Sequence, residues 1–369
     1  MELFDVAIVG GGPAGSACAA FCATAGLRTA LLERETFPRE KVCGDCINPG
    51  CWPVLQRLAV AGKIRNSPHG VLHAVEFISI GGRRMRVDLP AGNDSEIAIK
   101  RSLFDQLLLS RARDLGAEIH EASTVTALTR SRADHWRLDL VNQMVAARFV
   151  VAADGRNSTV ARLRNLLPRP ARERVALQAH IPLPKDFGDR VVLQFLPEGY
   201  SGQAPVGNDQ LNLCLVGEPS TISSLKNWAQ KEFDLSPDQD WRTITPLTRA
   251  AIAPTHQNLL LIGDAARVVE PFTGEGIYYA LRSGELAAGA IVKIFGGESA
   301  PSALGDFARA HSSTYRGRLW VNRLARAAVL SPKFTSALLQ VPGISGLILR
   351  RLTNRVESRG SSPELPAGD

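Results

Sequence analysis

The sequence predicts an α/β protein. A nucleotide-binding unit carries an inserted, mainly antiparallel β-sheet and is followed by C-terminal helices. Three observations predict it. A buried apolar strand runs straight into a glycine-rich turn, a small-residue helix and a second strand ending in an acid. Segments that alternate in the strand manner occupy the middle of the chain, outside that unit. Helical, arginine-rich sequence fills residues 302–330 and 333–352.

The opening strand is Phe4-Asp5-Val6-Ala7-Ile8-Val9, and Gly10-Gly11-Gly12-Pro13-Ala14-Gly15 follows at once. A run rich in Ala, Cys and Phe extends to Ala25, and the second strand, Thr29 to Leu32, ends at Glu33. This order is that of a Rossmann-like dinucleotide fingerprint. Gly10 permits the tight turn, Gly12 admits a pyrophosphate, and Gly15 lets the helix pack close. The helix N-terminus at Pro13 and Ala14 offers free N–H groups to phosphates. Glu33 can accept hydrogen bonds from an adenosine ribose, and an acid there disfavours NADP. The fingerprint alone does not separate NAD from FAD.

Further along, 71–80 and 83–89 read as strands joined by Gly81-Gly82. Residues 100–115 read as an amphipathic helix closed by Gly116. Strands follow at 118–120, 123–128, 136–140 and 147–152. Residues 174–181, 191–195 and 211–216 alternate as an antiparallel sheet, broken by Pro182, Pro184, Pro197 and Pro205. A helix at 220–233, a buried strand at 258–262 and a helix at 276–294 complete the pattern. The expected organisation is a discontinuous nucleotide-binding domain (1–65, 98–168 and 256–300), a sheet domain (66–97 and 169–255), C-terminal helices (301–354) and a flexible tail (355–369).

Composition narrows the function. The 369 residues are 45% hydrophobic and 21% charged, with a net charge of +7. No long basic run and no aromatic-interleaved stripe accompanies that charge, which argues against a nucleic-acid partner. The arginines at 309, 316, 318, 323 and 326 read either as a solvated face or as a contact to an anionic membrane. No basic leader precedes an apolar stretch, and no run of about 18 apolar residues occurs. Six cysteines in a chain of this length do not read as a secreted disulfide framework. The expectation is a cytoplasmic enzyme, at most peripheral to a membrane.

Three further stretches carry a family resemblance. Val151 to Ser158, with Asp154-Gly155 and then Arg162, resembles the Asp-Gly motif of FAD-dependent hydroxylase-like enzymes of the p-hydroxybenzoate hydroxylase type. Gly263-Asp264-Ala265-Ala266, then Pro271 and Gly274-Glu275-Gly276-Ile277, resembles their second FAD motif. Pro38 to Asp45 looks like the loop of the geranylgeranyl reductase branch. The resemblance covers roughly residues 4–290. It implies non-covalent FAD with its ring between the nucleotide domain and the sheet. By that resemblance Gly10, Gly12, Pro13, Ala14 and Gly15 bind the pyrophosphate, and Glu33 with Arg34 the adenosine ribose. Arg39 and Arg101 approach the ribose and phosphates, and Val125 reaches the adenine. Asp154 lies near the FAD, Gly263 and Asp264 meet the diphosphate and ribityl chain, and Gly274, Glu275, Gly276 and Ile277 offer backbone N–H groups to the flavin ring. For Asp264 a simple helix cap is the plainer alternative, and for Glu275 a solvated first-turn acid.

Cys43 and Cys46 have CxxC spacing, with Cys51 near. Zinc would need a fourth ligand, and Cys214 is isolated in sequence, so no metal site is expected. A redox dithiol, an inert pair, and a Cys43 that lines the flavin pocket all compete, the last following from the family loop. Cys18 and Cys22 read as packing residues, and His180 as structural or solvent-facing. Cys43 and Tyr200 are the candidate catalytic residues. Tyr200 and Pro205 match part of a prenyl-reductase signature, but Gln203 stands where that signature has Trp. The leading expectation is an NADH- or NADPH-linked reductase acting on a carbon–carbon double bond of a hydrophobic small molecule. The alternative is a flavin monooxygenase acting on an aromatic or polyketide-like substrate, supplied with electrons by a nicotinamide nucleotide or a separate flavin reductase. A halogenase would also need a lysine in the pocket, and Lys63 reads as a surface residue.

Overall fold

The computed structural model describes residues 3–131, 134–168, 174–269 and 274–316. Its strands are β1 (Leu3–Val9), β2 (Thr29–Leu32), β3 (Cys46–Ile47), β4 (Gly70–Val71), β5 (Ala74–Ile78), β6 (Arg84–Asp88), β7 (Ile97–Ala98), β8 (Glu118–His120) and β9 (Val125–Arg130), then β10 (Trp136–Leu140), β11 (Met144–Ala152), β12 (Val175–Pro182), β13 (Arg190–Leu196), β14 (Gly199–Pro205), β15 (Gln210–Gly217), β16 (Arg242–Ile244), β17 (Thr255–His256) and β18 (Leu259–Leu261). The helices are α1 (Pro13–Thr24), α2 (Trp52–Arg57), α3 (Ala61–Arg65), α4 (Arg101–Asp114), α5 (Thr159–Leu163), α6 (Ile222–Phe233), α7 (Gly276–Phe295) and α8 (Ala300–Arg316).

The first sheet has the parallel order β18-β11-β1-β2-β8, with β17 antiparallel at one edge and β9 and β10 running back from β11. Its central strands are apolar on both sides because both faces are covered. Val6 and Ile8 of β1 face α1, α4 and α7, whereas Ala7 and Val9 join the opposite cluster around Leu138 and Leu261. Small residues decide how tightly the helices pack. A β-carbon on Gly284 of α7 would stand 2.4 Å from the carbonyl oxygen of Ala14 in α1.

The second sheet has the order β16-β12-β15-β14-β13-β5-β6. It is antiparallel except between β13 and β5, which pair in parallel. The hairpin expected at 71–89 is β5–β6, turning at Gly82 with φ +79°. Residues 199–205 were expected to lie at a break, yet they form β14, a strand interior to the sheet. The prolines do not interrupt it: Pro182 and Pro205 are the last residues of their strands, and Pro197 lies in the turn before β14. Several short elements carried no sequence pattern, β16 and α5 among them. The three-residue β16 takes its place by pairing with β12. Helix α5 is fixed at its start by Ser158 Oγ, which accepts the N–H of Ala161 at 2.9 Å. A third, small sheet joins β3, β7 and β4, and Gly70 of β4 packs against the Pro205 carbonyl at the end of β14.

The helix expected at 302–330 is described only as α8, up to Arg316. Residues 333–352, the tail, Pro271, and the arginines at 318, 323 and 326 lie outside the described residues. Among the described residues no helix is long and apolar enough to cross a membrane.

The α1–α7 contact gives a paired test. Gly284→Ala must displace the Ala14 backbone and is expected to cost about 1–3 kcal/mol, the usual scale of overpacking. Gly289→Ala, on the same helix with open space around its would-be β-carbon, is expected to be neutral or to stabilise by up to about 1 kcal/mol. Thermal unfolding of the two variants measures the difference.

Candidate active site

A cavity of 580 Å³ lies where the carboxyl ends of β1 and β2 meet the face of the second sheet. One wall is the glycine turn. Gly10 has φ +105°, and a β-carbon there would stand 2.5 Å from the Ala153 carbonyl oxygen. At Gly15 a β-carbon would stand 1.9 Å from the Gly10 carbonyl oxygen, so this glycine lets α1 close onto β1 and does not itself line the cavity. Gly10, Gly12, Pro13 and Ala14 line it. Helix α1 begins with Pro13 and has no side-chain cap on its first N–H groups. Those donors, with the helix dipole behind them, suit a diphosphate.

Of the remaining expected cofactor residues, all but Glu275 line the cavity. Glu33, Arg34, Arg39, Val125, Gly263 and Asp264 line the cavity. Glu33 is also structural. Its two oxygens accept the N–H groups of Gly11 at 2.7 Å and Glu35 at 3.0 Å, which ties the glycine turn to β2 and leaves lone pairs for a ribose. The Arg34 side chain is 69% exposed beside Glu35 and adds only a rim contact. Arg101 also borders the cavity, but its guanidinium is held by both oxygens of the buried Asp105 at 2.7 Å. Arg39 joins the same carboxylate at 3.1 Å. Asp154 spends one oxygen capping α5, accepting the N–H groups of Thr159 at 2.7 Å and Val160 at 3.1 Å. Its other oxygen is buried without a partner, an unmet acceptor beside the cavity. Asp264 is not a helix cap of the simple kind: it accepts from Arg156 at 3.2 Å and sits in a short turn after β18. Gly274, Gly276 and Ile277 line the cavity, whereas Glu275 does not. Its side chain is buried and accepts the Tyr279 hydroxyl at 3.2 Å, so it is neither solvated nor at the cavity wall.

The opposite wall comes from the second sheet. It presents Ala176, Val191, Leu193, Gly202, Ala204 and Val216, an apolar surface with small residues at its centre. Tyr200 and Gln203 lie in the same wall, both almost fully buried.

Between the two walls runs the segment from Arg39 to Cys46. The Cys43 carbonyl accepts from Asn212 at 2.8 Å, Gln178 at 3.0 Å and the Cys214 thiol at 3.3 Å. Cys214, isolated in sequence, is therefore folded against Cys43, and both line the cavity with Cys46. The Cys43 thiol contacts the Arg101 guanidinium and the backbone N–H of Asp45. Desolvation pushes its pKa up, and those two donors only partly offset this, so it stays protonated at neutral pH. His180 is neither free nor solvent-facing: its Nε2 lies 2.8 Å from Asp45 Oδ2. Burial raises Asp45 to about 6 in spite of that contact.

Lys41 was missed. It lines the cavity, and burial beside Arg156, Arg101 and Arg39 lowers it to about 8, with Asp264 the opposing carboxylate. The signal was its place in the Pro38–Asp45 loop, whose residues 39–44 all line the cavity. A cluster of cations around one partly exposed carboxylate fits the diphosphate and ribityl portion of FAD, with the glycine turn as its floor. Two anionic charges placed there would restore the proton on Lys41. FAD affinity is therefore expected to be highest below about pH 8 and to fall as pH rises through that value. Lys41→Met is expected to bind FAD about tenfold more weakly and to lose that pH dependence. Fluorescence titration of the apoprotein between pH 7 and 9.5 reads both.

The comparisons with known proteins agree with this geometry. Residues 4–183 match the family model of the FAD binding domain. Over 322 residues the chain is 31% identical to menaquinone reductase of Mycolicibacterium smegmatis, covering 77% of this chain and 75% of that protein. It is 28% identical to digeranylgeranylglycerophospholipid reductase of Thermoplasma volcanium, covering 78% of each. The flavin-dependent brominase Bmp2 shares the fold, with a TM-score of 0.78, 20% identity and coverage of 95% of this chain and 94% of that one. The chain is an FAD-dependent oxidoreductase, and it belongs to the geranylgeranyl reductase-like branch of the hydroxylase-type flavoprotein superfamily.

Proposed function

We propose that the protein reduces a carbon–carbon double bond in a hydrophobic small molecule, with NADH or NADPH as the transient reductant. The observation that carries this reading is the Cys43 thiol, a protonated acid at the cavity wall beside an apolar, small-residue sheet face. Reduced FAD, when bound, supplies a hydride. The chain has to supply the rest. The sheet face holds the alkene and excludes water, which the relatives named as menaquinone and isoprenoid-lipid reductases also suggest. Cys43 gives its proton to the second carbon as the hydride reaches the first, and the thiolate takes a proton back from solvent. Arg101 and the Asp45 N–H stabilise that thiolate while it lasts. Tyr200 orients the polar end of the substrate, whereas the Gln203 amide donates to Ser201 Oγ at 3.2 Å and to Gln194.

A monooxygenase reading is supported by one observation: Gln203 stands in the strand where prenyl reductases resembling this chain carry Trp. The two readings differ in product. Anaerobic incubation with NADPH and either a menaquinone or a geranylgeranyl lipid is expected to give a product heavier by two hydrogens in the mass spectrum. A product that forms only in air and carries one added oxygen would overturn the reductase reading. Cys43→Ser is expected to slow double-bond reduction by about 100-fold, the lower end for a lost general acid, with FAD content unchanged.

A further inference from the structure

The turn that presents Cys43 is held from below by a buried polar network that no step above uses. Asp45 has φ +60°, in the left-handed region. Glycine would adopt that conformation without strain, and Asn or Asp with little. The residue present instead carries a carboxylate that is completely buried. Burying a carboxylate costs several kcal/mol unless partners meet it. One partner, His180, comes from β12 and lies 135 residues away in sequence. Gln178, from the same strand, reaches both Asp45 Oδ2 at 3.4 Å and the Cys43 carbonyl at 3.0 Å. Asn212 of β15 accepts from Gln178 at 3.0 Å and donates to the Cys43 carbonyl at 2.8 Å. The Asp45 carbonyl in turn accepts the N–H of Ile99 at 3.0 Å. The side chains of Asp45, His180, Gln178 and Asn212 do not line the cavity. They lie behind its wall, and their bonds converge on the backbone of residues 43–45.

We propose that Asp45 and His180 are positioning residues: their buried pair, braced by Gln178 and Asn212, holds the turn so that the Cys43 thiol faces the cavity with the Asp45 N–H and the Arg101 guanidinium on its sulfur. Neither residue touches substrate or cofactor. Their effect passes through the thiol alone. The proposal rests on the reading of Cys43 as the working acid. The groups that bear on the pair and the thiol come from each neighbouring element: Glu40 from the loop, Arg101 from the start of α4, and Cys214 from β15. His180→Ala removes a partner and leaves all of these in place.

The test is the pH profile of Cys43 alkylation by iodoacetamide in the FAD-loaded protein. Peptide fragmentation locates the label, and Cys214 serves as the internal comparison. In His180→Ala the turn loosens, the sulfur loses its donors, and the midpoint for Cys43 is expected to rise by about one unit. His180→Gln, which keeps an N–H for Asp45, is expected to restore it. Asn212→Ser, which removes an amide donor from the Cys43 carbonyl, is expected to raise the midpoint in the same direction and gives the answer if His180→Ala does not fold. FAD content and the thermal midpoint are expected to stay close to wild type in the glutamine variant. An unchanged Cys43 midpoint in the folded variants would overturn the proposal, as would a glutamine variant that behaves like alanine. No turnover enters this readout. A shifted midpoint in a protein that reduces no alkene would leave the positioning role standing and remove the proposed reaction.

Discussion

Everything in this structure depends on how closely the backbone of the glycine turn is approached on three sides. The Ala153 carbonyl at the end of β11 occupies the space a side chain at residue 10 would need. The Gly10 carbonyl occupies the space a side chain at residue 15 would need. From the third side, Glu33 accepts the Gly11 N–H at 2.7 Å. These contacts bring the ends of β1, β2 and β11 and the N-terminus of α1 to one place. Uncapped helical N–H groups are thereby left facing a cavity. Glu33 shows how economical the arrangement is, since one carboxylate fixes the turn and still borders the cavity. Neutralising it would loosen the loop as well as remove an acceptor.

The second organising contact lies between the sheets. The loop that follows β2 does not belong to either of them. It is captured by the second sheet through three donors on one carbonyl, that of Cys43, and by a buried carboxylate, that of Asp45. Buried polar networks contribute little net stability, because desolvation offsets most of their attraction. Their effect is specificity: a turn bonded at so many points has one position. That position sets the distance between a protonated thiol and the apolar face opposite. The arginines of the site obey the same logic. Asp105, fully buried, gathers Arg39 and Arg101. Lys41, Arg156 and Arg249 are the cations beside the partly exposed Asp264.

What was legible in the sequence is what short-range chemistry dictates. Gly10, Gly12 and Gly15 fall at a spacing only a phosphate-binding turn requires, and the acid after β2 closes the unit. The amphipathic period of 101–114 and the alternation of 175–182 and 210–217 follow from which faces are buried. These are local rules, and one chain suffices to read them. They also make prolines at 182 and 205 look like interruptions, although each only ends a strand.

Only the tertiary structure decided the rest, because it depends on residues far apart in the chain. Cys214 looked isolated and packs on Cys43 across 171 residues. His180 had no visible partner and meets Asp45 across 135. Lys41 sits in the Pro38–Asp45 loop with no role assigned to it, and its depressed pKa arises first from burial and then from cations at 156, 101 and 39 that the fold collects. The Glu275 side chain, which could be read as a solvated first-turn acid, is buried and accepts the Tyr279 hydroxyl one helical turn away. The sequence by itself determined a dinucleotide-binding α/β chain with an FAD-type order of motifs. The partners, burial and protonation of its working groups were decided by long-range packing, since desolvation and charge–charge energies are properties of the assembled cavity and of no segment alone.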